Sequence, residues 1–304
     1  MISLLLILIS SLFFVGIIVK VKAKIAARKM PPVLQPVYDV IRLFKKGAVY
    51  SQTTSVIFKI APLVYFSSVF LAVLFIPIGS NEGLLSFEGD FVFFAYLLGI
   101  GKFMTIISAM DTGSGFEGMG ANREALYSML AEPAFFIIAG SMALFTDNIS
   151  FHDLFLHLKQ DADLYYIIGI ASTYVLVYIA MVENSRMPID DPKTHLELTM
   201  VHEVMILDNS GFDLGLIHIA TWLKFSIYGA LISNFIISNS WNLYWQIAVF
   251  LGIQFAFSTI VGILESFRAR NKIEKNPQWI IMLSAISIVV FLTVLIITQK
   301  IILN

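Results

Sequence analysis

Apolar residues dominate this chain for about twenty positions at a time, eight times over, at 2–19, 61–79, 91–109, 125–145, 164–182, 216–237, 243–264 and 280–297. At a rise of about 1.5 Å per residue, roughly 20 such residues cross the ~30 Å hydrocarbon core of a bilayer. The pattern predicts an all-α polytopic membrane protein of about eight transmembrane helices, a single integral membrane domain over 1–304. Between the first two stretches the period changes. Val33, Val37, Val40, Ile41 and Phe44 recur at helical spacing, and Asp39, Arg42, Lys45 and Lys46 fill the other face. This predicts an amphipathic helix over 32–46, lying on the membrane and held by lipid headgroups. Two longer breaks, 110–124 and 183–215, are rich in glycine, proline and acid and suit a docking surface for a soluble partner. No internal repeat is evident, which argues against an inverted-repeat transporter.

Composition sharpens the class. Hydrophobic residues make up 58% of the chain and charged residues 13%, half the ~25% of a soluble domain. With no cysteine, the chain by itself offers no thiolates for disulfides, iron–sulfur clusters or zinc. A net charge of -1 gives no sign of a nucleic-acid partner. Placement of the cations matters more than their sum. The nine lysines and arginines from Lys20 to Lys59 fall on one side of the predicted spans. Arg123, Arg186, Lys193, Arg268, Arg270, Lys272 and Lys275 join them, against only Lys159 and Lys300 on the other side. Positive charge marks the cytoplasmic side. The basic segment 20–60 and the loops 110–124 and 183–215 are therefore expected in the cytoplasm, with both termini outside the cell membrane. The first stretch has its basic block after it rather than before it, the reverse of a signal peptide, and is expected to be a retained helix.

Several motifs suggest chemistry without the context it needs. Asp111-Thr112-Gly113-Ser114 spells an aspartic-protease tetrapeptide, but that mechanism needs two such carboxylates sharing a proton. Gly113 to Gly118 matches a dinucleotide fingerprint but follows a membrane span instead of a strand, so a tight turn is the expected role. His195-Leu196-Glu197 and His202-Glu203 lack the second histidine of a zincin, and His195 and His202 are expected to titrate or hydrogen-bond in a polar interface. Charges within the spans carry more weight. Lys102, Glu132 and Lys224 lie at a common depth of roughly 10–12 Å from the cytoplasmic ends. Each is costly there unless paired or hydrated. A buried polar layer is expected, touching Glu183 and Glu265 at its edge and carrying protons. In the second loop Glu183, Asp190, Asp191, Glu197, Glu203 and Asp208 crowd together with only Arg186 and Lys193 as nearby cations, and neighbouring carboxylates raise one another's pKa.

At these positions the sequence resembles a known family, the subunit-1 membrane component shared by respiratory complex I and membrane-bound nickel–iron hydrogenases. Three segments carry the likeness. The first is Leu34-Gln35-Pro36 through Lys46. The second is Gly113 through Glu132-Pro133, with Gly118-Met119-Gly120, Arg123-Glu124 and Ala131-Glu132-Pro133. The third is Glu183-Asn184-Ser185-Arg186-Met187-Pro188-Ile189-Asp190-Asp191-Pro192, continued by Thr194 to Met200 and His202-Glu203. Asp190-Asp191-Pro192, His195 to Thr199 and Glu265-Ser266 with Ala269-Arg270 look like the formate-hydrogenlyase and energy-converting hydrogenase branch. The complex I branch usually has a Trp-Ile-Arg-Ala-Thr-type element before its last helix. This chain lacks it, which bears against a working quinone site.

The resemblance implies a non-catalytic subunit with no cofactor of its own. It would anchor a nickel–iron large subunit and an iron–sulfur small subunit beside antiporter-like membrane subunits, with ferredoxin or a formate-linked protein as electron donor. Loops 110–124 and 183–215 would face the peripheral redox arm. Glu132, Glu183, Asp190, Asp191, Glu197 and Glu203 would couple electron transfer to ion movement, with Arg123 and Arg186 balancing charge in the loops. A complex I subunit, a sulfur-reducing complex on the same scaffold and a stand-alone ion transporter are the competing readings.

Overall fold

The computed structural model describes residues 1–158, 162–190 and 200–298. Helices occupy each of the eight apolar stretches: α1 (Ile2–Ile25), α3 (Val56–Val73), α4 (Asp90–Asp111), α5 (Gly115–Thr146), α7 (Ala162–Glu183), α9 (Gly211–Ile236), α10 (Leu243–Phe267) and α11 (Asn276–Ile297). Three shorter helices, α2 (Gln35–Phe44), α6 (Phe151–His157) and α8 (His202–Met205), connect them. Among the described residues seven helices are long and apolar enough to cross a membrane, and α7 offers the shorter apolar run Ile168–Glu183. The chain is an all-α, multi-pass membrane protein.

One helix forms the centre. In α9, 83% of the spanning window is buried, against at most 44% in any other span, and α1, α2, α3, α7 and α10 all pack on it. Its sequence explains why. Small residues on every side let neighbouring backbones approach, and side-chain hydrogen bonds then join the helices. A Cβ on Gly229 would collide with the Gln254 side-chain amide, which donates to the Ser226 carbonyl at 3.1 Å. The Ser226 and Ser10 hydroxyls lie 3.0 Å apart. Near its end Asn234 donates to the Pro77 carbonyl and accepts from the Gly79 amide, at 2.7 and 3.0 Å, locking the turn after α3.

Three expectations change. Helix α3 begins earlier than the apolar pattern, because Ser55 caps it by accepting from the Ile57 amide at 3.1 Å. The segment 110–124 is a short turn and then helix. Gly113 takes φ +70° at the turn, but Gly120 is helical, and its missing side chain admits Val201 and Val204 against α5. Glycine there serves packing, a use that composition alone reads as a loop. The described part of 183–215 also packs into the bundle, at 184–190 and 200–206. Ile189 and Val201 pack with Tyr127 and Ile280 in a small apolar cluster, and Asn276 donates to the Ile189 carbonyl and the Tyr127 hydroxyl at 3.0 and 3.1 Å. The amphipathic helix is present as α2. Its Phe44 packs on Gly215 and Phe212 of α9, while Tyr38 and Ile41 stay exposed.

Candidate functional site

The charged residues of the spans meet on the end of the bundle where α4 stops and α5 begins. Lys102 of α4 approaches Glu124 of α5 and Glu183 at the end of α7, with both ion pairs at 2.9 Å. Lys224 of α9 reaches the other Glu183 oxygen at 3.3 Å. All four side chains are at most 10% exposed. Two cations and two carboxylates balance one another, which is what makes their burial tolerable, since an unpaired charge there is strongly destabilising.

Glu132 stands apart. One face of α5 presents Glu117, Glu124 and Glu132 at intervals near two helical turns, but among the described residues Glu132 forms no ion pair or hydrogen bond. It lines a cavity of about 90 Å³ together with Lys102, Glu183, Tyr228, Phe94 and Phe135. Such a space can hold water against the polar groups in its wall. Pro133 beside it removes the hydrogen bond that this position would donate to the Met129 carbonyl.

Glu265 does not join this group. Its carboxylate, fully buried, accepts from Lys22 of α1 at 2.8 Å and pairs with Arg186 at 3.5 Å. Arg186 lies three residues beyond Glu183, so the chain leaving α7 links the two groups, and its guanidinium sits over the Phe225 ring at 5.8 Å. The expected single layer is therefore two adjacent clusters, because α10 approaches α1 rather than α4. Asp190 organises the far side. It pairs with Arg270 at 2.6 Å and accepts from the Val201 and His202 amides at 3.2 and 3.0 Å. Arg123 donates to the Met200 carbonyl at 3.0 Å, a structural contact in addition to any charge balance.

The two adjoining residues of α8 differ in protonation. Burial pulls His202 down to about 4, aided by Lys224, Lys102 and His218 and opposed by Glu124, so the ring is neutral near pH 7. Burial pushes Glu203 up to about 7, aided by Asp190 and opposed by Arg186. Glu203 therefore titrates near neutrality, and the folded state holds its proton above the ordinary value of 4.5. Its contribution to stability is fully present below about pH 4.5, falls as pH rises to about 7, and is flat above that. Melting curves in detergent should lose stability across that window, and Glu203→Gln should flatten the loss.

Asp191, His195 and Glu197 lie outside the described residues. Among those that are described, no group of three histidines, aspartates or glutamates is placed to hold a metal ion. Two buried acids of α5 escaped the sequence reading. Glu124 completes the Lys102 pair, and Glu117 accepts from the Asp208 amide at 3.0 Å. Their spacing with Glu132 was the available signal, hidden while the segment was read as a loop.

Comparison with known proteins identifies the family. Residues 1–298 match the NADH dehydrogenase family, and the chain belongs to it. Hydrogenase-4 component C of Escherichia coli strain K12 is 32% identical over 120 residues, 40% of this chain and 38% of that protein. Formate hydrogenlyase subunit 4 of the same strain is 26% identical over 186 residues, 60% of each chain. The matches thus span less than two thirds of either relative. Among solved structures, a chain of the membrane-bound sulfane sulfur reductase, an archaeal respiratory membrane complex, shares the fold with a TM-score of 0.76. The identity is 20%, over 95% of this chain and 98% of that one.

Proposed function

We propose that this chain anchors a peripheral electron-transfer arm to the membrane and couples its redox reaction to ion translocation in a hydrogenase-type complex. The observation that carries the reading is the buried group of Lys102, Glu124, Glu183 and Lys224 beside a cavity that also holds Glu132. Such a charge-balanced group can pass a proton or rearrange its pairs in response to charge at its edge. Segments 110–124 and 183–215, the second of which carries Arg186, Asp190 and Glu203, would face the arm on the cytoplasmic side. The excess of lysine and arginine supports that orientation. The likeness to hydrogenase-4 component C and formate hydrogenlyase subunit 4 supports a hydrogenase over a quinone-reducing complex. The nickel–iron centre and iron–sulfur clusters would then sit on partner subunits, with antiporter-like subunits alongside in the bilayer.

Mass spectrometry of what co-purifies with a tagged copy in mild detergent, with nickel assayed on the same sample, tests this. Nickel with an iron–sulfur subunit is the expected result. A flavin-containing NADH module without nickel would make it a complex I subunit, and iron–sulfur proteins with neither would favour sulfur reduction. Purification of the chain alone would end the anchor reading.

A further inference from the structure

Beyond the coupling site, the end of α1 forms a second, half-open cavity with a basic rim, of about 560 Å³, within the ~300–1,000 Å³ of small-ligand sites. A local device builds it. After Ile25 the chain reverses at Ala27, which takes φ +50°, and the Arg28 amide donates to the Ala23 carbonyl at 2.8 Å. The following segment then runs back along α1 until the Val33 backbone rests on Gly16, where any Cβ would collide with it. Between this returning strap and Ser266 of α10 lies the cavity, walled by Lys22, Arg28 and Lys29 and by apolar Val19, Ile25 and Pro31. Lys22 is neutralised by Glu265 at 2.8 Å. Arg28 and Lys29 have no ion pair among the described residues, which leaves two uncompensated positive charges over an apolar floor. The cavity lies at the C-terminal end of a helix that leaves Leu5, Ile9, Leu12 and Phe13 exposed along its earlier turns.

We infer that this cavity is a binding site for the phosphate-bearing headgroup of an anionic phospholipid, with Arg28 and Lys29 on the phosphate and Val19, Ile25 and Pro31 against the glycerol and upper acyl chain. Inorganic phosphate shares the charge but not the apolar half. Basic pockets between spanning helices near the membrane surface suit such headgroups, at about 1 kcal/mol per basic residue.

The test uses the full chain, in the complex with which it purifies, placed in nanodiscs of equal parts phosphatidylglycerol and phosphatidylcholine and then examined by native mass spectrometry. Retained phosphatidylglycerol is expected for the natural protein. Arg28→Gln/Lys29→Gln should weaken retention roughly 30-fold, two basic residues at about 1 kcal/mol each. The swap Arg28→Lys/Lys29→Arg should keep it. Lys272→Gln/Lys275→Gln, which removes the same charge from exposed positions between α10 and α11, should also keep it. Equal retention of phosphatidylcholine, binding of inorganic phosphate in preference to the lipid, or an equal loss with the Lys272/Lys275 variant would overturn the assignment. Should the glutamine variant fold poorly, the lipid preference of the natural protein and the charge-keeping swap still decide.

Discussion

Replacing Glu183 by glutamine is expected to destabilise the protein by about 3–5 kcal/mol, the range for removing one partner of a buried ion pair. The carboxylate serves two lysines at once, at 2.9 and 3.3 Å, and both lysines are at most 8% exposed. Glutamine keeps the shape and loses the charge, so Lys102 is left with Glu124 alone and Lys224 with no carboxylate partner. The loss should appear as a lower melting temperature in detergent, and as lost ion transport in membranes. Charge balance predicts its own rescue. Lys224→Gln added to Glu183→Gln restores neutrality and should recover part of the stability. A double variant no more stable than the single one would mean that the group is held by packing instead of charge.

The second large effect is expected at Asp190. Asp190→Ala deprives Arg270 of a 2.6 Å partner and leaves the Val201 and His202 amides without their acceptor. These contacts tie the segment after α7 to the one after α10, so their loss should open the connection locally instead of unfolding the bundle. A penalty of about 3 kcal/mol corresponds to a more than hundredfold rise in the open population. Limited proteolysis follows that population when closing is faster than cleavage, so cutting between α7 and α9 should accelerate by a similar factor. Unchanged cutting would show that the apolar contacts of Ile189 and Val201 hold the segment without Asp190.

The spans were legible in the sequence because lipid demands long apolar runs and allows few substitutes. Lys102, Glu132 and Lys224 stood out against that background for the same reason. Glu124 did not, since it sits one residue before the apolar stretch at 125–145, in a segment whose glycines suggested a loop. Gly120 shows why that suggestion failed: close approach of Val201 and Val204 to a helix needs the same residue that a turn does. The separation of Glu265 from Glu183 was equally hidden. Position along a span gives depth but not which neighbour the side chain faces, and only the packing of α10 on α1 decides that. The burial of 184–190 likewise rests on contacts from Asn276 and Arg270, some eighty residues away in sequence.

On the proposed function, the charges around Glu132 move ions in step with electrons. The most direct measurement is the number of ions translocated per electron pair by the whole complex in sealed vesicles, for the natural protein and for Glu132→Gln. The glutamine fills the same space in the cavity and can neither give nor take a proton. A clear fall in that ratio is the predicted result. An unchanged ratio would contradict the coupling role and leave Glu132 as a wall of the cavity alone.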